Sequence, residues 1–190
     1  MIKPPIYDRP VRPPIPAAPP NIPYQVILAD PPWATYGESR AEFPNMRLED
    51  IAAIPVRKWL ASDAVVLLWV PNWQLPKGLF VLEAWGVKYR TIGFVWVKTN
   101  GKRSLISGTG FWTRPGVEIC LLGSCGSPIK TKTPGARSAK VNQVVLGPRQ
   151  QFARKPGIHE QIESMLGGPY LEMFARRKQK GWDVWGNEVN

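Results

Sequence analysis

Two periodicities organise the chain. Gln25-Val-Ile-Leu-Ala29 is a short apolar run of strand length, ended by Asp30-Pro31-Pro32. Ala64–Val70 is a continuous run of β-type residues, the pattern of a strand buried on both faces. Thr91–Lys98 (Ile92, Phe94, Val95, Trp96, Val97) and Val117–Leu122 read as further strands, with Tyr170–Phe174 and Trp182–Trp185 closing the set. Between them, Leu48–Ile54 has helical spacing and is stopped by Pro55. Lys77–Trp85 reads as a helix with Leu79, Phe80 and Leu82 apolar and Gly86 as its stop, and Pro156–Leu166 as one bounded by Pro156 and Gly167-Gly168. Strands alternating with helices predict an α/β domain around a largely parallel sheet. Residues 101–116 and 123–140 are rich in Gly, Ser, Thr, Pro and basic residues and read as long loops.

The pattern stops at the N-terminus. Residues 1–23 hold nine of the 21 prolines with few apolar residues between them, which predicts an extended arm without a packed element. The division is therefore an arm over 1–23 and one domain over 24–190, a length that buries a single core without a metal or disulfide staple. No apolar run reaches the roughly 18 residues of a membrane span, and the N-terminus has no signal-peptide core, so a soluble, cytoplasmic protein is expected.

Charge sharpens the picture. The chain carries a formal +11, and from Lys98 to Lys155 eleven Lys or Arg face a single acid, Glu118. That segment alone holds a surplus of ten, which points to a polyanionic partner such as nucleic acid. Cysteine adds little. Cys120 and Cys125 stand at C-x4-C spacing with one histidine in the chain, His159, so no zinc set is present and both read as buried thiols.

Asp30-Pro31-Pro32-Trp33 is the most informative tetrapeptide, because it stands at the carboxyl end of a buried strand, where open α/β sheets place their ligands. It suits an exocyclic amine on a base, whose lone pair is delocalised into the ring. The Asp30 carboxylate and the Pro31 carbonyl can accept its two N–H bonds and turn the lone pair toward an electrophile. The prolines fix the backbone, and Trp33 offers a flat apolar surface to a base.

Seven further pieces stand in order after Ala29-Asp-Pro-Pro-Trp33. They are Leu68-Trp-Val70, Val95-Trp-Val-Lys-Thr-Asn100, Thr109-Gly-Phe-Trp112, Glu118-Ile-Cys-Leu-Leu-Gly123, Lys155-Pro156, Glu172-Met-Phe-Ala-Arg176 and Trp182 with Trp185-Gly-Asn-Glu188. Together they resemble the adenine-N6 methyltransferases typified by the catalytic subunit of the eukaryotic mRNA adenosine methyltransferase, from about Gln25 to Val189. The resemblance implies a single Rossmann-like domain that uses S-adenosylmethionine, with the catalytic strand early and the cofactor strand late. That permuted order accounts for the lack of G-x-G-x-x-G after the first strand; Gly108-Thr-Gly110 is a lone G-x-G.

Carried over by position, Asp30, Pro31, Pro32 and Trp33 match the target-amine pocket, with Asp30 also beside the cofactor. Lys155, Arg176, Gln179, Asn187 and Glu188 match cofactor positions, and Trp112 and Glu118 match the side facing the target adenosine. The basic residues Lys102, Arg103, Arg114, Lys130, Lys132, Arg137 and Lys140 are the expected grip on the strand. The reading is a stand-alone enzyme, monomer or homodimer, acting on DNA ahead of RNA and without a membrane. The alternatives are the same reaction on RNA, or a non-catalytic nucleic-acid-binding subunit.

Overall fold

The computed structural model describes residues 18–21, 23–34, 45–100, 104–110, 112–127, 141–148 and 158–186. Among these, seven strands and three α-helices follow in the order β1 (Tyr24–Ala29), α1 (Leu48–Ala52), β2 (Leu60–Pro71), α2 (Leu75–Ala84), β3 (Lys88–Thr99), β4 (Val117–Cys125), β5 (Val144–Pro148), α3 (His159–Met165), β6 (Tyr170–Met173) and β7 (Trp182–Trp185). They form one sheet in the order β5-β3-β4-β2-β1-β6-β7. β1 pairs in parallel with both β2 and β6, β6 with β7, and β3 with β5. The exception is β4, antiparallel to β2 and β3.

The continuous apolar run is the middle of β2, where Ala64 to Val70 are all buried because layers cover both faces of the sheet. On one face Ile27, Val66, Leu68 and Leu121 pack with Ile51, Val81, Leu82 and Trp85, beneath α1 and α2. On the other, Val26, Leu28, Leu67, Trp69, Phe94 and Trp96 pack with Ile158 and Ile162 of the α3 region and with Trp182. No helix among the described residues is long and apolar enough to cross a membrane. Both cysteines are buried and unbridged, and no cluster of metal-ligating residues occurs among the described residues.

Several expectations are corrected. α2 starts at Leu75 and turns Gly78, Val81 and Leu82 inward, leaving Leu79 and Phe80 37% and 50% exposed. Gly78 sets that face: a Cβ there would lie 2.9 Å from Leu121 Cδ1, so the missing side chain is what lets the helix lie close on the sheet. β5 is not evident in the sequence. It is a short edge strand whose residues alternate exposed and buried, fastened by the Trp96 indole N–H to the Gly147 carbonyl at 3.1 Å. Nor is 104–116 a free loop. Leu105 bridges Thr99, Lys98 N–H donates to Gly116 O, and Ile106 N–H donates to Lys98 O, so the segment prolongs the end of β3. The 123–140 loop begins later, since β4 continues to Cys125. Residues 1–17 and 22 of the arm lie outside the described residues, but Asn21 is tied to the domain through Tyr24 and Asp183.

Candidate active site

Parallel strands end on one edge of a sheet, and an antiparallel strand begins there. The exits of β1, β2, β3, β6 and β7 therefore meet the entrance of β4 on a single edge. Asp30 leaves β1 on this edge, Asn72-Trp73-Gln74 follow β2, and Phe174-Ala175-Arg176 follow β6. Glu118 lies opposite Pro71, two strands from β1 and so about 10 Å across the sheet. β1 lies between β2, the next strand in the chain, and β6, which arrives only after β2 to β5. Such a change of direction is where α/β sheets open a ligand crevice.

The turn at Asp30 is pinned at each residue. Asp30 N–H reaches Met173 O at 3.4 Å, Trp33 N–H donates to Pro31 O at 2.9 Å, and Met46 N–H donates to Pro32 O at 2.8 Å. The Trp33 indole N–H donates to Trp69 O at 2.9 Å. Pro31 is buried and Asp30 exposed, so an exposed acid stands on a fixed floor. Pro31 O keeps its second lone pair after accepting from Trp33. Trp33 itself is only 7% exposed and belongs to the core beneath α1, so its ring braces the turn and offers little open face.

Gln74 is a residue the sequence does not single out. It is 2% exposed, and its Nε2 donates at 3.2 Å to the carbonyl of Ala34, the residue after Trp33. Its Oε1 is buried without a partner among the described residues. Leaving such an acceptor unpaired costs about 1–3 kcal/mol, a penalty that an apolar side chain would avoid. The sequence does not mark Asn72-Trp73-Gln74, and only tertiary packing reveals that the amide clamps the turn after Asp30.

On the β3–β4 side, Glu118 is held by Lys98, with Nζ 2.6 Å from Oε1, and the ammonium lies 5.0 Å from the centre of the Trp96 ring. One of the eleven cations of the basic segment is thus neutralised by its only acid, and Lys98 becomes a site residue that the charge count alone places in a diffuse surplus. Trp112 is 98% exposed and Arg114 is exposed beside it. Gly110 makes this tight turn possible, because a Cβ there would collide with the Thr113 carbonyl oxygen.

On the β6–β7 side, Phe174 adopts a left-handed φ of 61° as the chain leaves β6, with its N–H on Trp185 O at 2.6 Å. Arg176 follows, exposed, and the backbone carbonyl of half-buried Gln179 accepts from Trp182 N–H at 3.1 Å. Lys102, Arg103, Lys130, Lys132, Arg137, Lys140, Lys155, Asn187 and Glu188 lie outside the described residues. Among the described candidates, one edge thus gathers Asp30, Pro31, Pro32, Trp33, Glu118 and Arg176.

Comparison with known proteins agrees with this arrangement. The MT-A70 family model matches residues 24–188. The type II methyltransferase M.MunI of a Mycoplasma species is 29% identical over 192 residues, covering 87% of this chain and 78% of that relative. The N(6)-adenosine-methyltransferase catalytic subunit METTL3 of Homo sapiens is 30% identical over 177 residues, 88% of this chain and 28% of the relative. The N(6)-adenine-specific methyltransferase METTL4 of Mus musculus is 29% identical over 179 residues, 87% and 37% respectively. The chain thus spans most of M.MunI and well under half of the two mammalian relatives. With the match running from β1 to the residues just past β7, and the Asp30 turn seated on the ligand edge of a Rossmann-like sheet, the chain belongs to the MT-A70 family.

Proposed function

We propose that this chain transfers the methyl group of S-adenosylmethionine to the N6 amine of adenine at specific sites in DNA. The observation that carries the reading is the pinned turn, which places an exposed carboxylate beside a buried proline with a spare carbonyl lone pair. Two acceptors fixed in this way orient both N–H bonds of an exocyclic amine and leave its lone pair directed at the electrophile. No reorganisation is needed at the moment of reaction, the condition under which such groups contribute most. DNA is favoured over RNA by the type II methyltransferase relative, of which this chain spans the greater part.

The donor set suits the cofactor. The Asp30 carboxylate can accept from its ammonium, and the exposed Arg176 follows β6 on the same edge, whereas the Gln179 carbonyl is bonded to Trp182 at the start of β7. Lys155, Asn187 and Glu188 are proposed for its carboxylate, ribose hydroxyls and adenine edge. The bound cofactor supplies an electrophilic methyl on a sulfonium. The residues of the chain bind and aim the amine, and solvent-exposed Asp30 can take up the proton that the methylated nitrogen sheds. Trp112 is proposed to stack on a nucleobase, and Arg114 with the other basic residues to hold phosphates. A duplex must present the target base extruded from its stack.

The reading places the enzyme in the cytoplasm as a monomer or homodimer. DNA from cells expressing the chain, digested to nucleosides, should contain N6-methyladenine that is absent from cells expressing Asp30→Ala. Methylation sequencing should find it at a defined site. Equal N6-methyladenine in both DNAs would reject the reading, and transfer to RNA alone would move it to the other substrate.

A further inference from the structure

Within the proposed function, we infer that Trp73 is the platform on which the nucleobase beside the target adenine stacks. Of the nine tryptophans, seven are buried in the two cores, Trp33 among them. Only Trp73 and Trp112 are exposed, at 51% and 98%. An indole left in water forgoes one of the largest apolar burials that a side chain can make. Both exposed indoles stand on the edge where Asp30 leaves β1: Trp112 between β3 and β4, Trp73 directly after β2. The flat surface expected of Trp33 is closed, and Trp73 is the open indole on the strand next to it.

The strand register sets its height. β1 and β2 run parallel with Ala29 opposite Leu68, so β2 continues three residues, about 10 Å, past that pair before the 3-10 turn Asn72–Gln74 begins. The residues after Asp30 climb this extension of β2, for the Trp33 indole reaches Trp69 O and Gln74 Nε2 reaches the Ala34 carbonyl. Trp73 therefore stands at the top of the wall, above the level at which Asp30 and Pro31 present their acceptors. An adenine whose amine is held at Asp30 lies below the indole, and the next base along the strand meets it.

The backbone behind the ring is fixed while the ring itself is open. Asn72 Oδ1 accepts Trp73 N–H at 2.9 Å, Leu75 N–H donates to Asn72 O, and Gln74, 2% exposed, roots the turn in the protein. The indole N–H makes no hydrogen bond, and the ring no aromatic contact, with any described residue. A pre-positioned ring loses little freedom on binding. Charge does not oppose a nucleic acid here: the chain has no acid from Ala64 to Leu82, and Glu118, opposite Pro71, is paired with Lys98. When an adenine is extruded, the base beside it loses a stacking partner. An indole in its place restores about 1–3 kcal/mol, comparable with the few kcal/mol that extrusion costs.

The test compares wild type, Trp73→Ala and Trp73→Phe on a fluorescent DNA duplex carrying the methylated site, and on the same duplex with an abasic nucleotide in place of the target adenine. We expect Trp73→Ala to weaken binding of both duplexes about 5- to 150-fold, the loss of one stacked base. Trp73→Phe keeps an aromatic face and should stay within about fivefold of wild type. The slope of log K against log salt should not change, because stacking releases no counterion. S-adenosylmethionine affinity by calorimetry and the melting temperature should also hold. Unchanged duplex affinity in folded Trp73→Ala overturns the inference. So does a loss that Trp73→Phe fails to restore, and so does a loss confined to the intact duplex, which would put the indole on the target adenine itself. Wild-type protein that binds DNA without methylating it would fail the proposed function, and a mixed-sequence duplex containing adenine would still read the Trp73→Ala and Trp73→Phe comparison.

Discussion

The two ends of β1 are built for opposite purposes. At its start, Tyr24 is fully buried, donates its hydroxyl to Asp183 Oδ2 at 2.8 Å and accepts Asn21 N–H at 3.0 Å. Burial, reinforced by Asp183, pushes the phenol up to about 12. The polar groups there satisfy one another and close the lower edge of the sheet. Six residues on, Asp30 is exposed, Pro31 O next to it has a spare lone pair, and Gln74 Oε1, behind the same turn, has no partner among the described residues. One strand therefore anchors the fold at one end and presents acceptors at the other. The backbone is bonded at both ends, Tyr24 N–H to Trp59 O and Asp30 N–H to Met173 O; the difference is that the acceptors after Asp30 stand at the open edge of the sheet.

Trp33→Ala should blur that distinction most, because it removes a core indole and its bond to Trp69 O. A loss of about 3–5 kcal/mol in stability is expected in chemical denaturation. If substrate affinity falls with stability intact, the residue is a platform and not a brace. Asp30→Ala should do the reverse, leaving stability within about 0.5 kcal/mol. It should lower turnover by about 10²–10³, roughly 3–4 kcal/mol, with only a modest change in cofactor affinity by calorimetry.

At the other end of the strand, Tyr24 stays protonated in the folded state while the unfolded phenol ionises near pH 10. Its contribution is therefore complete below pH 10 and declines as pH rises toward about 12. About 1–2 kcal/mol is lost across that window, because water partly screens half-buried Asp183. Denaturation of Tyr24→Phe from about pH 9 to about pH 11.5 should lack this component. Trp112→Ala should leave the melting temperature alone and raise the KM for DNA about 5- to 150-fold, the loss of one stacked base at about 1–3 kcal/mol. The smallest effect is also the most diagnostic. Gln74→Met removes the unpaired acceptor, so stability should hold or rise by about 1 kcal/mol, while loss of the clamp on Ala34 slows turnover with the cofactor KM unchanged. A variant that is equally fast would mean that the clamp is dispensable.

What can be read from the sequence is what is local. The continuous run at Ala64–Val70 can only be a strand covered on both faces, and the Asp30 turn is visible because acid, two prolines and tryptophan adjoin at the end of one. The direction of β4 is not legible, because a strand buried on both sides has the same pattern whichever way it runs. β5 is hidden because its apolar run, Val144–Leu146, is only three residues long and is cut off by Gly147-Pro148, which reads as a loop. The inward face of α2 escapes the pattern because Gly78, the residue that permits the close approach, has no side chain to mark it. Gln74 with Ala34 and Lys98 with Glu118 lie 40 and 20 residues apart in sequence, and such partnerships exist only once the sheet is assembled.

The most direct test of the account is transfer of a labelled methyl group from S-adenosylmethionine to matched DNA and RNA strands, with the products digested and the methylated nucleoside identified. The account predicts N6-methyldeoxyadenosine as the product, formed faster on DNA than on RNA, and its disappearance in Asp30→Ala that still binds cofactor. Methylation at any other atom, or undiminished N6 transfer by Asp30→Ala, would contradict it.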